Sequence, residues 1–184
     1  SDGFRGAILL KKGDYKIAGT LNINADGIVL RGEGNNAGGT RLIAAGKGQR
    51  LLVKIAGKGK ATESGSRVKI TDSYVPAGAK SFEVKSSKGF KVGDRIMVFR
   101  PGTESWIHDL QMDRIVEREG TRQWKAAEYN LNFEREITAI EGNKISIDNP
   151  IVMAMESRYG GGEVFKYEFQ GRLKEVGIEN ILFE

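Results

Sequence analysis

The stretch Gly27-Ile28-Val29-Leu30-Arg31-Gly32-Glu33-Gly34 decides the fold. It is a brief apolar run bounded by glycine on both sides, too short for a helix and without the i, i+3, i+4, i+7 spacing that a helix face needs. Runs of the same kind surround it: Ala7-Ile8-Leu9-Leu10, Tyr15-Lys16-Ile17-Ala18, Thr20-Leu21-Asn22-Ile23, Thr40-Arg41-Leu42-Ile43-Ala44 and Leu51-Leu52-Val53-Lys54-Ile55. Leu21 and Ile23 flank Asn22, and Val53 and Ile55 flank Lys54, which turns one face of each strand inward and the other to solvent. Between the runs stand Lys12-Gly13-Asp14, Ala25-Asp26-Gly27, Gly38-Gly39 and Gly46-Lys47-Gly48. Gly, Asn and Asp tolerate positive φ, so these read as sharp corners.

Short strands with frequent corners suit an antiparallel sandwich or barrel, or a solenoid whose coils stack one on the next. Hairpin signals such as Asn-Gly are scarce in the first 70 residues, which favours the solenoid. At the far end, Gly177-Ile178-Glu179-Asn180-Ile181-Leu182-Phe183 opens as Gly27-Ile28-Val29 does. A coil strand there leaves an open edge. The expectation is a chain that stops partway through a longer solenoid, its open end pairing with the rest of the parent or with another chain.

Gly6-Ala7-Ile8-Leu9-Leu10-Lys11-Lys12-Gly13-Asp14-Tyr15-Lys16-Ile17, the Leu21-Asn22-Ile23 that follows, and the Gly27 to Gly34 stretch together resemble the opening coils of the pectate-lyase-like right-handed parallel β-helix superfamily. The resemblance covers residues 3 to 57 and again about 171 to 184. It implies the fold more than the reaction, because lyases, hydrolases, phage tailspikes and binding proteins share these coils.

Charge and residue type divide along the chain. Residues 1 to 70 hold 13 Lys and Arg against 5 Asp and Glu, while residues 71 to 184 hold 16 against 19, so an overall +5 hides a basic first part and a mildly acidic remainder. Of the 15 aromatic residues, 12 lie between Thr71 and Gln170, as do all three Pro and the only His. The expected organisation is therefore coils over 1–70, an inserted, mainly antiparallel β subdomain over 71–170, and a return to a coil over 171–184. The fold class is all-β. Within the insertion, Ser81-Phe82-Glu83-Val84, Arg95-Ile96-Met97-Val98-Phe99-Arg100, Glu136-Ile137-Thr138-Ala139-Ile140 and Lys144-Ile145-Ser146-Ile147 read as strands. Gly142-Asn143 marks a hairpin between the last two.

Thr103 to Met112 reads as one short helix capped by Thr103 or Ser105. Helical spacing would put Glu104 beside His108 and Asp109 beside Asp113, while Trp106 and Leu110 share another face. A carboxylate next to an imidazole suits acid–base chemistry, and Asp109 with Asp113 would offer oxygen ligands to calcium. The competing reading has Trp106, Ile107 and Leu110 anchoring the insertion, with the charges solvated. A second group is Trp124, Tyr129, Phe133, Arg158 and Tyr159, just before Gly160-Gly161-Gly162. Aromatic rings stack on sugar faces and Arg pairs with uronate carboxylates, but the same residues could build a small core. The candidate substrate-binding residues are thus Arg100, Trp106, His108, Trp124, Arg158 and Tyr159.

Zero cysteine excludes a disulfide framework, a Cys-based metal site and a cysteine nucleophile. A single His leaves no His-rich metal cluster. No apolar run approaches the roughly 18 residues that span a bilayer. Gly32-Glu33-Gly34-Asn35-Asn36-Ala37 lacks the last glycine of a dinucleotide fingerprint. The basic residues Lys54, Lys58, Lys60, Arg67 and Lys69 have no aromatic interleaving, so nucleic acid is not the expected partner. No cofactor is evident; calcium is what the resemblance allows, with Asp109 and Asp113 as the candidate ligands. By that resemblance the parent is a secreted, surface or periplasmic carbohydrate-active protein that binds or degrades a polysaccharide, an acidic one on the charge of the first part. A non-catalytic glycan-binding module and a structural stalk stand as alternatives. No position matches a lyase or hydrolase catalytic motif, so the catalytic residues stay unassigned.

Overall fold

The computed structural model of the chain describes residues 3–184. Strands take 43% of it and helix 7%, so the chain is all-β. It divides into two compact units, one of residues 3–61 with 169–184 and the other Thr62–Glu168. The sequence division at 71 and 170 thus moves to 62 and 168, because the strand that opens the second unit begins at Thr62.

In the first unit the runs become β1 (Gly6–Leu10), β2 (Gly13–Ile17), β3 (Leu21–Ile23), β4 (Ile28–Gly34), β5 (Thr40–Ala44) and β6 (Val53–Ile55). All pairing is parallel. Gly6 stands opposite Ile28, Gly13 opposite Thr40 and Leu21 opposite Val53, so three successive strands pair one for one with the next three. The C-terminal strand Gly177–Phe183 then lies parallel to both β4 and β5, bulging between Glu179 and Ile181 where Asn180 takes φ 55°. Register stacks like on like. Leu30 faces Ile8 on one side and Ile178 on the other, and Ile23, Leu30, Leu42 and Ile181 form the core. Each such burial is worth about 1.5–3 kcal/mol. Outward positions stack charge: Arg31 meets Glu179 at 2.8 Å, and Arg41 grips Asp14 through both carboxylate oxygens and reaches Glu184. Part of the basic excess is therefore neutralised between neighbouring strands. At the corner, the fully buried Thr40 hydroxyl lies 3.0 Å from the Leu10 and Lys11 carbonyls and accepts from the Glu33 N–H, tying β1 to β4 and β5.

The second unit holds β7 (Thr62–Lys69), β8 (Tyr74–Val75), β9 (Ser81–Glu83), β10 (Arg95–Arg100), α1 (Glu104–Asp109), β11 (Leu131–Glu141), β12 (Lys144–Ile147), β13 (Met155–Glu156) and β14 (Glu163–Glu168). Six of these strands form one sheet in the order β7-β14-β10-β11-β12-β9, antiparallel throughout, with β8 and β13 paired apart from it. The β11–β12 hairpin turns on Gly142, at φ 61°, as the Gly-Asn signal predicts. β9 and β10, consecutive in sequence, are not neighbours. Strand alternation sends Ile96 and Val98 of β10, Phe133 and Ile137 of β11, and Val164 of β14 into the core. Phe133 thus belongs to the core of the sheet, one of the two readings the sequence leaves open for it.

Candidate functional site

The inward face of β10 runs Ile96, Val98, Arg100, so the alternation that buries two aliphatic side chains also buries a guanidinium, and Arg100 is only 4% exposed. Pro101 carries no N–H and ends the strand. At Gly102 a Cβ would strike the Ala126 carbonyl oxygen and sit 2.9 Å from Tyr129, so only glycine lets the 3₁₀ turn Ala126–Tyr129 approach. Asn130 Oδ1 fastens that approach by accepting the Gly102 N–H at 2.9 Å. Thr103, in extended conformation, then caps α1. The helix is shorter than its spacing predicts: it closes at Asp109, and Gln111 turns left-handed at φ 60°. Glu104 and His108 remain on one helix, whereas Asp109 and Asp113 do not share a helix face.

Three half-buried aromatic rings meet there. Tyr129 stacks on Trp124 with centroids 4.0 Å apart and planes 18° from parallel. Trp106 of α1 tilts against both, at 6.2 Å from Trp124 and 6.0 Å from Tyr129. The Arg100 guanidinium lies 4.2 Å over the Trp106 ring. Arg158 and Tyr159 join from the 3₁₀ turn Ser157–Tyr159. Tyr159 donates its hydroxyl to Asp109 at 2.6 Å, Arg158 pairs with Glu156 at 2.8 Å and lies 4.4 Å over the Tyr159 ring, and the Thr103 hydroxyl reaches the Tyr159 carbonyl. Gly160, at φ 93°, lets this turn sit against Pro101 and Thr103. The hydrogen bond to Asp109 holds the Tyr159 proton and raises its pKa. Glu156 raises that of Arg158, while burial lowers that of Arg100 against the opposing field of Glu156.

Two depressions open beside these rings. One, of about 390 Å³, is lined by Glu104, Ile107, Asp113, Trp124, Lys125 and Ala126. The other, of about 370 Å³, is lined by Glu104, Ser105, His108, Asp109 and Asp113. They share Glu104 and Asp113 as lining and so adjoin; the pair, called the trough below, has an indole wall in the first depression and carboxylates in both. His108 Nδ1 lies 2.7 Å from Asp113, and Arg114 Nη2 contacts His108 Nε2. An ionised carboxylate can only accept, so the proton between His108 and Asp113 is assigned to Nδ1. Both ring nitrogens are engaged, and the bond from His108 holds the Asp113 carboxyl below its usual range.

Four of the sequence candidates line the two depressions and four do not. Trp124, His108, Asp109 and Asp113 line the trough, Trp106 and Arg100 back its aromatic wall, and Arg158 and Tyr159 adjoin it through Asp109. Lys125 and Glu156 escaped the sequence reading, because no spacing links them to the partners they meet. As a calcium site the aspartates fit poorly, since Asp109 takes the Tyr159 hydroxyl and Asp113 the His108 proton. Among the described residues no group of three or more His, Cys, Asp or Glu is arranged to hold a metal ion.

No protein-family model and no curated protein matches the chain. Solved structures similar to it include three phage tailspikes. The Pseudomonas phage phi297 tailspike gp61 is 17% identical, with a TM-score of 0.42 over 96% of this chain and 24% of that one. The gp54 tailspike of Acinetobacter baumannii bacteriophage AP22, solved in complex with A. baumannii capsular saccharide, is 11% identical, with a TM-score of 0.39 over 96% and 26%. The tailspike protein gp49 from Pseudomonas phage LKA1 is 15% identical, with a TM-score of 0.34 over 87% and 22%. The chain therefore spans about a quarter of the length of each.

Proposed function

We propose that the unit Thr62–Glu168 is a saccharide-binding module, and that the stacked parallel strands of the other unit are coils of a right-handed parallel β-helix that carries it in a secreted or surface protein. One observation carries the binding reading: the Trp124 indole, braced on one side by Tyr129, walls a pocket whose other lining is the apolar Ile107 and Ala126 and the charged Glu104, Asp113 and Lys125. An indole face takes the C–H face of a pyranose, and ionised carboxylates accept from hydroxyl or ammonium donors and give none. That chemistry favours a neutral or amino-bearing sugar. A uronate would bring its own carboxylate against Glu104, Asp109 and Asp113, with Lys125 as the cation lining the same pocket, so the acidic polymer expected from the charge of the first part fits this trough less well. We read the trough as a binding site and assign no catalytic role to its carboxylates or to His108.

The test is a tryptophan-emission titration of the chain with neutral, free-amino, N-acetylated and uronate oligosaccharides, repeated on Trp124→Ala. The expected result is saturable binding of neutral or amino sugars, weaker binding of uronates, and at least a tenfold loss in the variant, about 1.4 kcal/mol. Wild-type protein that binds no sugar in the panel, or a Trp124→Ala variant that binds as well, refutes the reading.

A further inference from the structure

Arg100 is costly where it stands. Its side chain is buried, its Nη1 has no hydrogen-bond partner, and a desolvated unpaired donor on a charged group is among the more expensive arrangements a core can hold. Burial lowers its pKa, and the field of Glu156 only partly opposes this. Met97 and Met155 of the same unit show that long apolar side chains fill buried positions here. A methionine at position 100 would continue the Ile96–Val98 face without that cost. What an arginine adds is a flat cation lying 4.2 Å over the Trp106 ring.

Trp106 in turn touches both members of the Trp124–Tyr129 stack. Its indole could rotate about two side-chain bonds, and a planar guanidinium against one face selects the orientation in which the other rings rest on it. We infer that Arg100 is a positioning residue: it fixes Trp106, and through Trp106 sets the pose of the Trp124 wall that receives the sugar. The inference rests on the saccharide reading of the trough. It also predicts an opposition that a plain structural role would not produce, because replacing a buried charged group by a well-packed apolar side chain is often neutral or stabilising.

The experiment compares wild type with Arg100→Met and Arg100→Lys by thermal melting, near-ultraviolet circular dichroism of the tryptophans and titration with the sugar that wild type binds. Arg100→Met is expected to melt no lower than wild type, to lose part of the tryptophan dichroism and to bind about tenfold more weakly, a factor worth about 1.4 kcal/mol. Arg100→Lys keeps the charge but not the plane, and is expected to bind as weakly as the methionine variant. Wild-type affinity in either variant overturns the inference, and so does a fall in melting temperature that tracks the loss of affinity. Should Arg100→Met not fold, the lysine variant decides: weak binding with the fold intact supports the inference and wild-type binding refutes it. If wild type binds no sugar, the saccharide reading itself has failed and this inference goes with it.

Discussion

Tyr129 lies flat on Trp124, its ring centroid 4.0 Å away. The two residues come from one loop, and the contact leaves the indole braced from one side while the same indole lines the trough. Tyr129→Ala should therefore act twice. Removing the stack should cost about 0.5–1.5 kcal/mol of stability beyond the ring's buried area, the range of an aromatic pair, read as a lower urea midpoint. Sugar binding should also weaken, because the unbraced indole must be ordered at the moment of binding. Tyr129→Phe keeps the stack and should restore both. A phenylalanine variant as impaired as the alanine one would show that the hydroxyl, not the stacking, is what matters.

Thr40 tests the first unit independently of any ligand. Its hydroxyl has no exposed surface and sits among the Leu10 carbonyl, the Lys11 carbonyl and the Glu33 N–H. Thr40→Val keeps the shape and strands these partners, so it should lower stability by about 1–3 kcal/mol, the cost of leaving buried polar groups unmade. Sugar binding at the trough should be untouched while the chain stays folded. A valine variant as stable as wild type would mean that water reaches this corner.

Much of this fold was legible in the sequence because strand ends are written locally. Glycine, Asn and Asp mark the corners around Ile28–Gly34 and Thr40–Ala44, and Gly142-Asn143 marks its hairpin. Partner choice was not legible, because it depends on residues far apart: β10 pairs with β14 and β11, and not with β9 before it. The site divides in the same way. Trp106, Trp124, Arg158 and Tyr159 drew notice by residue type, but their convergence depends on close approach at Gly102 and Gly160, which no periodicity encodes. Phe133 was readable two ways, as a member of the aromatic group or as core, and strand alternation makes it core. β11 begins at Leu131, and alternation from there puts Phe133 and Ile137 on the same core-facing side.

Acid should destabilise the chain only well below neutrality. Arg41 holds Asp14 below its usual 3.8 chiefly by hydrogen bonding, and Asp113 is lowered by His108 and Asp148 chiefly by the Glu136 N–H. A carboxyl whose folded pKa is depressed lends stability that is complete above its unfolded pKa and is lost as pH falls through the folded value. Melting temperature should therefore vary little from these groups between about pH 7 and 5, and drop as pH passes below about 4. Asp14→Asn should flatten part of that drop. A wild-type loss of stability centred near pH 6 would point to another titrating group and contradict this account.

Gly102 offers the sharpest test of how the site is assembled. A Cβ there would meet the Ala126 carbonyl oxygen and Tyr129 at closer than van der Waals distance, and both neighbours belong to the turn that delivers the aromatic stack. The backbone at this position is not left-handed, so Gly102→Ala carries no conformational penalty of its own and its effect isolates the steric one. The turn Ala126–Tyr129 must move back, drawing Tyr129 and Trp124 away from Trp106. Gly102 lies outside the β10, β11 and β14 ladder, which should survive, so far-ultraviolet dichroism should hold while the near-ultraviolet tryptophan signal and sugar affinity fall together. A loss of affinity of about tenfold or more is expected, since displacements of the order of 1 Å are enough to spoil a preorganised site. Wild-type binding in Gly102→Ala would show that the trough does not depend on where this turn is held.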